Sequence, residues 1–473
     1  MTPPARGHVE MTTEGVGAPR ESVAVIGAGC SGLAALKNLT LRGFECVAYE
    51  SHSAVGGIWD RSNPKSSVYR GTHLITSREV TGFRDRPMSA DLPVYPRHSQ
   101  VRDYLCGYAE HHDLLRHVRF DSPVTEVRRR PSGGWLITTA SGETHGHEAL
   151  VIANGHNWSP RFPELPGQFS GPAIHSRDYD TAAGFAGKRV LVVGAGNSGC
   201  DIAVESAQVA DRVAISTRRG YHYYPKFLMG RPTDQVGAFV RSLRLPPRAV
   251  SFIMRNLLRM STGRPQDWGL PAADHNPYET PPTISSLLPY YVAHGRVDMR
   301  PDLLAIDGQN VTFTDGRVEE FDAMVLATGF KIDIPFMCPE DLDWDSKRPD
   351  FYLLAFSRRY PDLFIAGMMD PTGGFCPTVD LQTDLIANYL WARRNHPAAA
   401  LAFDTLKAAD AVDLTGGTRF LDAPRNATQL ALGSYLQTMR EHRVVLRPAE
   451  PAARPPSPAR VLASTMRAAR SAR

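Results

Sequence analysis

The first clear pattern of hydrophobic and polar positions in the chain begins with a short apolar run at residues 22–26. It is rich in valine and isoleucine and does not alternate with polar residues, which predicts a strand buried on both faces of a parallel sheet. Three glycines follow with G-x-G-x-x-G spacing: Gly27, Gly29 and Gly32. This spacing predicts a tight turn that lets the backbone and the next helix approach a pyrophosphate.

Helical spacing continues after this turn, with leucine at every third position over residues 33–39. Gly43 interrupts the period, and residues 45–50 predict a second strand that ends in Glu50. An acid at the end of this strand accepts hydrogen bonds from ribose hydroxyls. We therefore predict a dinucleotide site whose turn contacts come from Gly27, Gly29, Ser31 and Gly32.

The same order of elements recurs later in the chain. Residues 190–193 predict a strand, residues 202–209 a helix, and residues 212–217 the next strand. The intervening turn residues expected to contact a nucleotide are Gly194, Gly196, Asn197, Ser198 and Gly199.

The second unit differs from the first in the charge at the end of its second strand. Arg218 and Arg219 stand where the first unit has Glu50. A guanidinium pairs with a 2′-phosphate that an acid would repel, so the second site is predicted to prefer NADPH to NADH. The alternative is that both arginines are simply solvated at a strand end.

Two such units in one chain predict an α/β fold with two Rossmann-like dinucleotide-binding domains. The ribose-binding acid favours FAD in the first unit, and the arginines favour NADPH in the second. Hydride would pass from NADPH to FAD.

Length and composition are those of an ordinary globular protein with two or three domains. The chain has 473 residues, 42% hydrophobic and 22% charged, and a net charge of +4, which gives no reason to expect a nucleic-acid partner. No apolar stretch is long enough for a signal peptide or a membrane span, so we expect a cytoplasmic protein. Residues 1–20 and a basic tail over 446–473 are predicted to be disordered, with tail contact to nucleic acid or membrane left open.

Cysteine spacing narrows the class of enzyme. Six cysteines are scattered without a C-x-x-C pair, so we expect reduced thiols and no metal site. The disulfide reductases share a two-nucleotide architecture but need a redox cysteine pair, and the missing motif argues against that class.

An arginine-rich segment over residues 238–264 mixes apolar side chains with Arg241, Arg244, Arg248, Arg255 and Arg259. Pro246 and Pro247 are expected to divide it into two short helices. We expect these helices to pack against the NADPH unit and to line the substrate entrance, which the aromatic stretch from Gly220 would help to shape; a membrane surface is the alternative.

A further motif lies between the two glycine turns. Residues 169–179 resemble the F-x-G-x-x-x-H-x-x-x-Y fingerprint of the flavin-containing monooxygenase family, which is related to the Baeyer-Villiger monooxygenases. Other family features are similar in order and spacing: "GGIW" from Gly56, "SVYRGTHLITS" from Ser67, "VIANGHNWSPRFPELPG" from Val151, "GNSGCDIA" from Gly196 and "LATGF" from Leu326.

The resemblance implies that the NADPH domain is inserted in the FAD domain. The FAD domain would cover residues 21–165 and 326–445, and the NADPH domain residues 166–325. It also implies FAD contacts by Glu50, Gly57, Ile58, Trp59 and Val124, and places Leu381 and Gln382 near the isoalloxazine. An ordinary helix start is the alternative for these last two residues. A homodimer is left open.

One departure concerns a Thr-Asn pair whose amide, in many relatives, helps to hold NADP+. The asparagine position falls on Ile75, or on Ser77 if Thr76 and Ser77 form the pair. Ile75 offers no side-chain hydrogen bond, and Ser77 offers a shorter one. Ser77 and His175 are weak catalytic candidates, and a structural role is preferred for His175.

The resemblance implies an NADPH-dependent monooxygenase in which a C4a-hydroperoxide of the flavin transfers one oxygen atom of O2 to a small molecule. Tyr179 is typical of amine and sulfur oxygenation, whereas Asp180 is typical of ketone oxidation. We expect an amine or thioether substrate and keep open Baeyer-Villiger oxidation of a ketone. A flavoprotein that only reports redox state or leaks electrons to oxygen is the non-oxygenating alternative.

Overall fold

The computed structural model describes residues 22–446 apart from 244, 346 and 411. The predictions for segments 1–20 and 447–473, and for Arg244, concern positions outside this part of the chain. The α-helices are α1 (Cys30–Thr40), α2 (Arg78–Thr81), α3 (His98–His111), α4 (Asn197–Ser206), α5 (Thr233–Ser242), α6 (Pro247–Thr262), α7 (Leu287–Ala293), α8 (Phe375–Asn395), α9 (Pro397–Ala409) and α10 (Leu432–Leu446). Short 3-10 helices cover Gly57–Trp59, Leu115–His117, Ala182–Phe185, Pro265–Trp268, Pro339–Leu342 and Pro424–Asn426.

Strands occur throughout the described chain. Up to His175 they are β1 (Ser22–Ile26), β2 (Glu45–Tyr49), β3 (Val118–Arg119), β4 (Val124–Arg129), β5 (Trp135–Thr139), β6 (Thr144–His147), β7 (Ala149–Ile152), β8 (Ser159–Pro160), β9 (Gly167–Phe169) and β10 (Ala173–His175). The next are β11 (Arg189–Val193), β12 (Arg212–Ser216), β13 (Tyr223–Tyr224), β14 (Phe227–Leu228), β15 (Arg231–Pro232), β16 (Thr283–Ile284), β17 (Asp298–Arg300), β18 (Leu303–Gly308), β19 (Asn310–Phe313), β20 (Val318–Glu320) and β21 (Ala323–Leu326). The last are β22 (Phe330–Lys331), β23 (Phe351–Tyr352), β24 (Phe356–Ser357), β25 (Leu363–Ile365), β26 (Asp370–Pro371) and β27 (Gln429–Leu430).

The larger sheet has seven strands in the order β23-β24-β25-β7-β1-β2-β3. Its strands from β25 to β3 pair in parallel, and β1 lies between β2 and β7. All five residues of β1 are buried, and they face two different cores: Val23 and Val25 pack with α1 and α8, whereas Ala24 and Ile26 pack with Trp135 of β5. The strand predicted over residues 22–26 is confirmed, because burial on both faces is what its unbroken apolar sequence required.

The second sheet has five parallel strands in the order β10-β21-β11-β12-β17. Its central strand β11 also divides its side chains, with Val190 and Val192 in one core and Leu191 in another. The chain enters this sheet after β7 and returns to the larger sheet at β23. The predicted α/β fold with two Rossmann-like units is thereby confirmed, while the exact domain boundaries stay a prediction.

Two elements differ from the sequence prediction in their bounds. Helix α4 begins at Asn197 rather than residue 202 and ends at Ser206, because the glycine turn opens directly into a polar first helical turn. The arginine-rich segment contains α5 and α6, which Pro246 and Pro247 separate as expected. Helix α6 is longer than predicted, since its 16 residues bury Val250, Met254 and Leu258 on one face.

His147, at the end of β6, links the three-stranded sheet β4-β5-β6 to β1 and β2 of the larger sheet. Its ring nitrogens are hydrogen-bonded to Ser22 Oγ at 2.9 Å and Tyr49 Oη at 2.8 Å. Burial lowers the pKa of His147 to about 4. In the folded protein His147 takes up a proton only at a lower pH than in the unfolded chain, where the pKa of a histidine is about 6.5.

Acidification is expected to destabilise the protein through this histidine. Because its folded pKa lies below its unfolded pKa, stability is lost as pH falls below about 6.5, and the loss reaches about 3 kcal/mol at pH 4. The loss of unfolding free energy is measured by urea unfolding of the wild type and of His147→Gln at pH 7 and pH 4. The variant should lose about that much less on acidification, and equal losses in both proteins would contradict the assignment.

Candidate functional site

A single cavity of about 1740 Å³ reaches both glycine turns. Gly29 and Ser31 line it on the side of β1, and Gly196 and Ser198 line it on the side of β11. A pocket for one small ligand commonly has about 300–1,000 Å³. The cavity therefore has room for more than one ligand, and both turns open into the same space.

The backbone of the first turn lies so close to neighbouring backbone atoms that Gly27 and Gly32 leave no room for a side chain. Gly27 has φ +104°, and a Cβ there would lie 2.6 Å from the carbonyl oxygen of Ala153 on the neighbouring strand. A Cβ on Gly32 would lie 1.9 Å from the carbonyl oxygen of Gly27. The turn and the first turn of α1 are thus in backbone contact, as the G-x-G-x-x-G spacing predicted.

Helix α1 points its open N-terminus into the cavity. No side chain caps it at Gly29, so its first amide groups have no side-chain acceptor. The atom nearest to a Cβ built on Gly29 would be the Cα of Gly57, at 3.4 Å, so the space beside this N-terminus is bordered by backbone atoms. These amides fit a pyrophosphate, because helix N-termini stabilise anions. The predicted contacts Gly57, Ile58, Trp59 and Val124 also line the cavity.

Glu50 is held in one orientation directly after β2. One carboxylate oxygen accepts a hydrogen bond from the Ala28 amide at 2.6 Å, and the other accepts one from the His52 amide at 2.9 Å. The side chain is buried yet lines the cavity. Because a carboxylate has several acceptor sites, it retains capacity for the ribose hydroxyls expected there.

The second turn repeats this geometry. Gly194 has φ +108° and lies against the carbonyl of Ala327, and a Cβ on Gly199 would lie 1.9 Å from the carbonyl oxygen of Gly194. Nothing lies within 4 Å of a Cβ on Gly196, which faces the cavity and leaves α4 without a side-chain cap. Asn197 fixes the first turn of α4 by accepting a hydrogen bond from the Ile284 amide at 2.7 Å. This open N-terminus fits a second pyrophosphate.

Three arginines line the cavity near the second turn. Arg218 and Arg219 follow β12 as predicted, and Arg161, which the sequence analysis missed, joins them from the segment after β8. Arg219 lies 3.9 Å from a carboxylate oxygen of Asp274. Burial and the charge of Arg218 lower the pKa of Arg161. Clustered guanidinium groups repel one another, and a bound phosphate would offset this repulsion. The cluster therefore fits a phosphate.

A polar network in the cavity wall beside the second turn was also missed. Tyr69 Oη donates a 2.8 Å hydrogen bond to Asp201 of α4, and Lys226 also lines the cavity. Desolvation raises the pKa of Asp201 and lowers the pKa of Lys226. Asp201 lies on the helix face that also carries Asn197 and Glu205, and this polar face was the sequence signal for the network.

The structure places the residues at the Thr-Asn position differently from one another. Ile75 and Thr76 line the cavity, but Ser77 is fully buried, and its amide and hydroxyl both donate to the same Asp234 oxygen at 2.7 and 2.9 Å. Contact of Ser77 with a cofactor or reactant stays a prediction. Asp234, from α5, lines the cavity beside Thr76 and Thr233.

Gln382 lies behind the cavity wall. It is fully buried in α8, accepts a hydrogen bond from the Gly367 amide at 2.8 Å and donates one to Tyr435 Oη at 2.9 Å. Neither Gln382 nor Leu381 is among the cavity-lining residues described, whereas Gly367 is. Their place near the isoalloxazine stays a prediction.

His175, at the end of β10, packs against the segments that follow β8 and β21 and is not among the cavity-lining residues described. Its Nε2 donates to the Gly329 carbonyl and its Nδ1 accepts the Arg177 amide, both at 3.1 Å. The rings of Phe162 and Phe330 pack edge-on against it, and burial lowers its pKa. A neutral imidazole with both nitrogens engaged has no free site for acid or base catalysis, so the catalytic alternative for His175 is not supported.

Replacing His175 by glutamine is expected to slow the reduction of bound FAD by NADPH by no more than about tenfold, the effect of losing one buried hydrogen bond. The yield of oxygenated product per NADPH should stay that of the wild type. Stopped-flow reduction and product counting measure the two effects separately. Loss of product with normal reduction would contradict a structural role.

Helix α5 lines the cavity, whereas α6 supports α5 from behind. The lining residues from α5 are Thr233, Asp234, Gly237 and Arg241. Helix α6 packs its buried face against Tyr224, Leu228 and Val240. Among the described residues, no helix is both long and apolar enough to cross a membrane.

Comparison with known proteins places this geometry among flavin enzymes. The flavin-binding monooxygenase-like family matches residues 20–439. The mouse protein dimethylaniline monooxygenase [N-oxide-forming] 2 is 32% identical over 418 residues, which cover 83% of this chain and 76% of the mouse protein.

Solved structures of similar fold include S-allyl-L-cysteine S-oxygenase from Allium sativum, with TM-score 0.61, 21% identity and coverage of 89% of this chain and 88% of that one. Cyclohexanone monooxygenase from Rhodococcus sp. Phi1 bound to NADP+ has TM-score 0.63 and 19% identity, and the match covers 90% of this chain and 98% of that one.

Proposed function

The chain belongs to the flavin-binding monooxygenase-like family, and on that premise we propose that it oxygenates the nitrogen or sulfur of a small molecule. It is an FAD- and NADPH-dependent monooxygenase. The observation that carries the proposal is the single cavity shared by the two glycine turns, because hydride transfer requires the nicotinamide and the flavin to meet.

We assign FAD to the first turn and NADPH to the second. The α1 amides and Glu50 would hold the pyrophosphate and a ribose of FAD, with Gly57, Ile58 and Trp59 beside it. The α4 amides, Arg218, Arg219 and Arg161 would hold NADPH. Bound FAD supplies the oxygen chemistry once NADPH has reduced it. The corresponding FAD domain is 21–165 with 326–445, and the NADPH domain is 166–325.

The protein's own groups would orient these ligands and restrict protons near them. The Tyr69 hydroxyl keeps its proton and donates a hydrogen bond to Asp201, since burial raises the pKa of the tyrosine. A hydroxyl that does not release its proton suits a reaction in which early protonation would release hydrogen peroxide.

Nitrogen and sulfur substrates are favoured by the relatives. The mouse relative is named for N-oxide formation, and the Allium sativum structure is that of an S-oxygenase. Ketone oxidation is the second candidate, because Asp180 follows the fingerprint tyrosine and the Rhodococcus structure is that of a cyclohexanone monooxygenase. We propose a cytoplasmic site of action, which accords with six free cysteines.

The test is substrate-dependent turnover. Purified holoenzyme is given NADPH and oxygen with N,N-dimethylaniline, a dialkyl sulfide or cyclohexanone, and NADPH loss is compared with product. Faster NADPH loss with matching N-oxide or sulfoxide supports the proposal. Lactone formation alone would establish the second candidate, and peroxide with no product from any compound would contradict both.

A further inference from the structure

Two cysteines from distant parts of the chain meet in the cavity wall. Cys30 is the first residue of α1, directly after Gly29, and Cys376 is the second residue of α8. Their sulfur atoms lie 3.1 Å apart, although 346 positions separate the residues in sequence. Both residues line the cavity. The fold thus brings together two cysteines that are far apart in a sequence without a C-x-x-C motif.

The geometry is close to that of a cross-link. A disulfide holds its sulfurs about 2.05 Å apart, so an approach of about 1 Å closes the bond. Each cysteine sits in the first turn of a helix, Cys30 in α1 and Cys376 in α8. The other described cysteines have no sulfur contact of this kind, and Cys338 is exposed at the surface.

The two sulfurs lie within hydrogen-bonding distance, and either thiol can be the donor. The hydrogen bond with Cys376, together with burial, raises the pKa of the Cys30 thiol well above its ordinary range. Both sulfurs face the cavity from which an oxidant would enter.

We propose that Cys30 and Cys376 form a reversible disulfide that hydrogen peroxide closes and a dithiol reductant reopens. The sulfur of one cysteine attacks one peroxide oxygen, the O–O bond breaks, and a sulfenic acid and water form. The sulfur of the other cysteine then attacks the sulfenic sulfur, its proton leaves with the hydroxyl group as a second water, and the S–S bond forms. Two thiols and one peroxide thus give one disulfide and two waters.

The source of the peroxide rests on the proposed function. When NADPH and oxygen react on the holoenzyme without a substrate, the hydride of NADPH and one proton from solvent reduce oxygen to hydrogen peroxide inside the cavity that both cysteines line. The disulfide would tie the turn that carries Gly29 to the first turn of α8. We expect the cross-link to stabilise the folded protein, because it closes a loop of several hundred residues.

The first experiment tests the pair without relying on turnover. Holoenzyme is treated with a small excess of hydrogen peroxide, alkylated and mapped by mass spectrometry. We expect the six free thiols to fall by two, a peptide that joins Cys30 to Cys376, a thermal unfolding midpoint raised by several degrees, and full reversal by dithiothreitol. Both thiols remaining open to alkylation, or a bond to any other cysteine, would overturn the proposal.

Variants separate the pair from general oxidation. Peroxide should neither remove two thiols from Cys376→Ser nor raise its unfolding midpoint, whereas Cys338→Ser, which lacks only an exposed thiol, should form the bond like the wild type. Cys30→Ser is a second test from the other side of the contact. A peroxide-induced rise in the unfolding midpoint of Cys376→Ser would contradict the assignment.

The second experiment tests the source. Holoenzyme with NADPH and oxygen but no substrate should form the same bond, and omission of either NADPH or oxygen should prevent it. A bond with added peroxide but none under these conditions would overturn the self-supplied oxidant and count against the oxygen chemistry of the proposed function. It would leave the cysteine pair itself supported, so the two failures are distinguishable.

Discussion

Alanine at Gly196 is expected to leave the protein folded and yellow while NADPH binding weakens about ten- to hundredfold. The added Cβ meets no protein atom within 4 Å, so the fold has no reason to change. It projects instead into the space that a pyrophosphate needs to reach the α4 amides, and losing one charge-assisted hydrogen bond costs about 1.5–3 kcal/mol. NADPH titration of the purified variant measures the effect.

Two further glycine variants serve as controls for this result. Gly184→Ala, which also adds a Cβ with no neighbour within 4 Å, should bind NADPH normally because it lies outside the cavity wall. Gly199→Ala should lower stability as well as NADPH binding, since its Cβ would lie 1.9 Å from the Gly194 carbonyl oxygen. Unchanged NADPH affinity in Gly196→Ala would remove NADPH from the second turn.

Replacing Arg218 by alanine is expected to weaken NADPH about ten- to hundredfold and to leave NADH nearly unaffected. Only NADPH carries the 2′-phosphate, and a charge-assisted hydrogen bond contributes about 1.5–3 kcal/mol. Arg219→Ala should have the smaller effect of the two, because Asp274 already lies 3.9 Å from its guanidinium. The ratio of kcat/KM for NADPH to that for NADH measures the selectivity.

Arg317→Ala is the matched control, because this arginine is exposed and paired with Asp315 away from the cavity. It should keep the wild-type selectivity. If Arg218→Ala and Arg219→Ala both keep it as well, the two arginines are solvated groups at a strand end and the phosphate assignment is wrong.

Local sequence was sufficient for the two glycine turns. Strand burial on both faces needs an unbroken apolar run, and the turn needs glycine where φ is positive or a Cβ would strike a backbone carbonyl, as at Gly27 and Gly194. The apolar run, the three glycines and the start of the helix that signal each unit lie within about ten residues of one another, although the carbonyls that the first glycines contact do not. The strand β1 and both G-x-G-x-x-G turns were therefore readable without knowledge of the fold.

Polar side chains were harder to assign because their partners are distant in sequence. Ser77 is held by a carboxylate 157 positions away, and Gln382 by a tyrosine 53 positions away. Nothing near either residue in the chain indicates that its hydrogen-bonding groups are already used. The same reason hid Arg161 beside Arg218, and the contact between Cys30 and Cys376.

The account depends most on the claim that the shared cavity brings a nicotinamide to a flavin. Anaerobic mixing of purified holoenzyme with NADPH, followed at the flavin absorbance near 450 nm, tests it directly. We expect the yellow colour to bleach with one NADPH consumed per FAD, and much more slowly with NADH at the same concentration. A protein that retains FAD but is not bleached by NADPH would contradict the account.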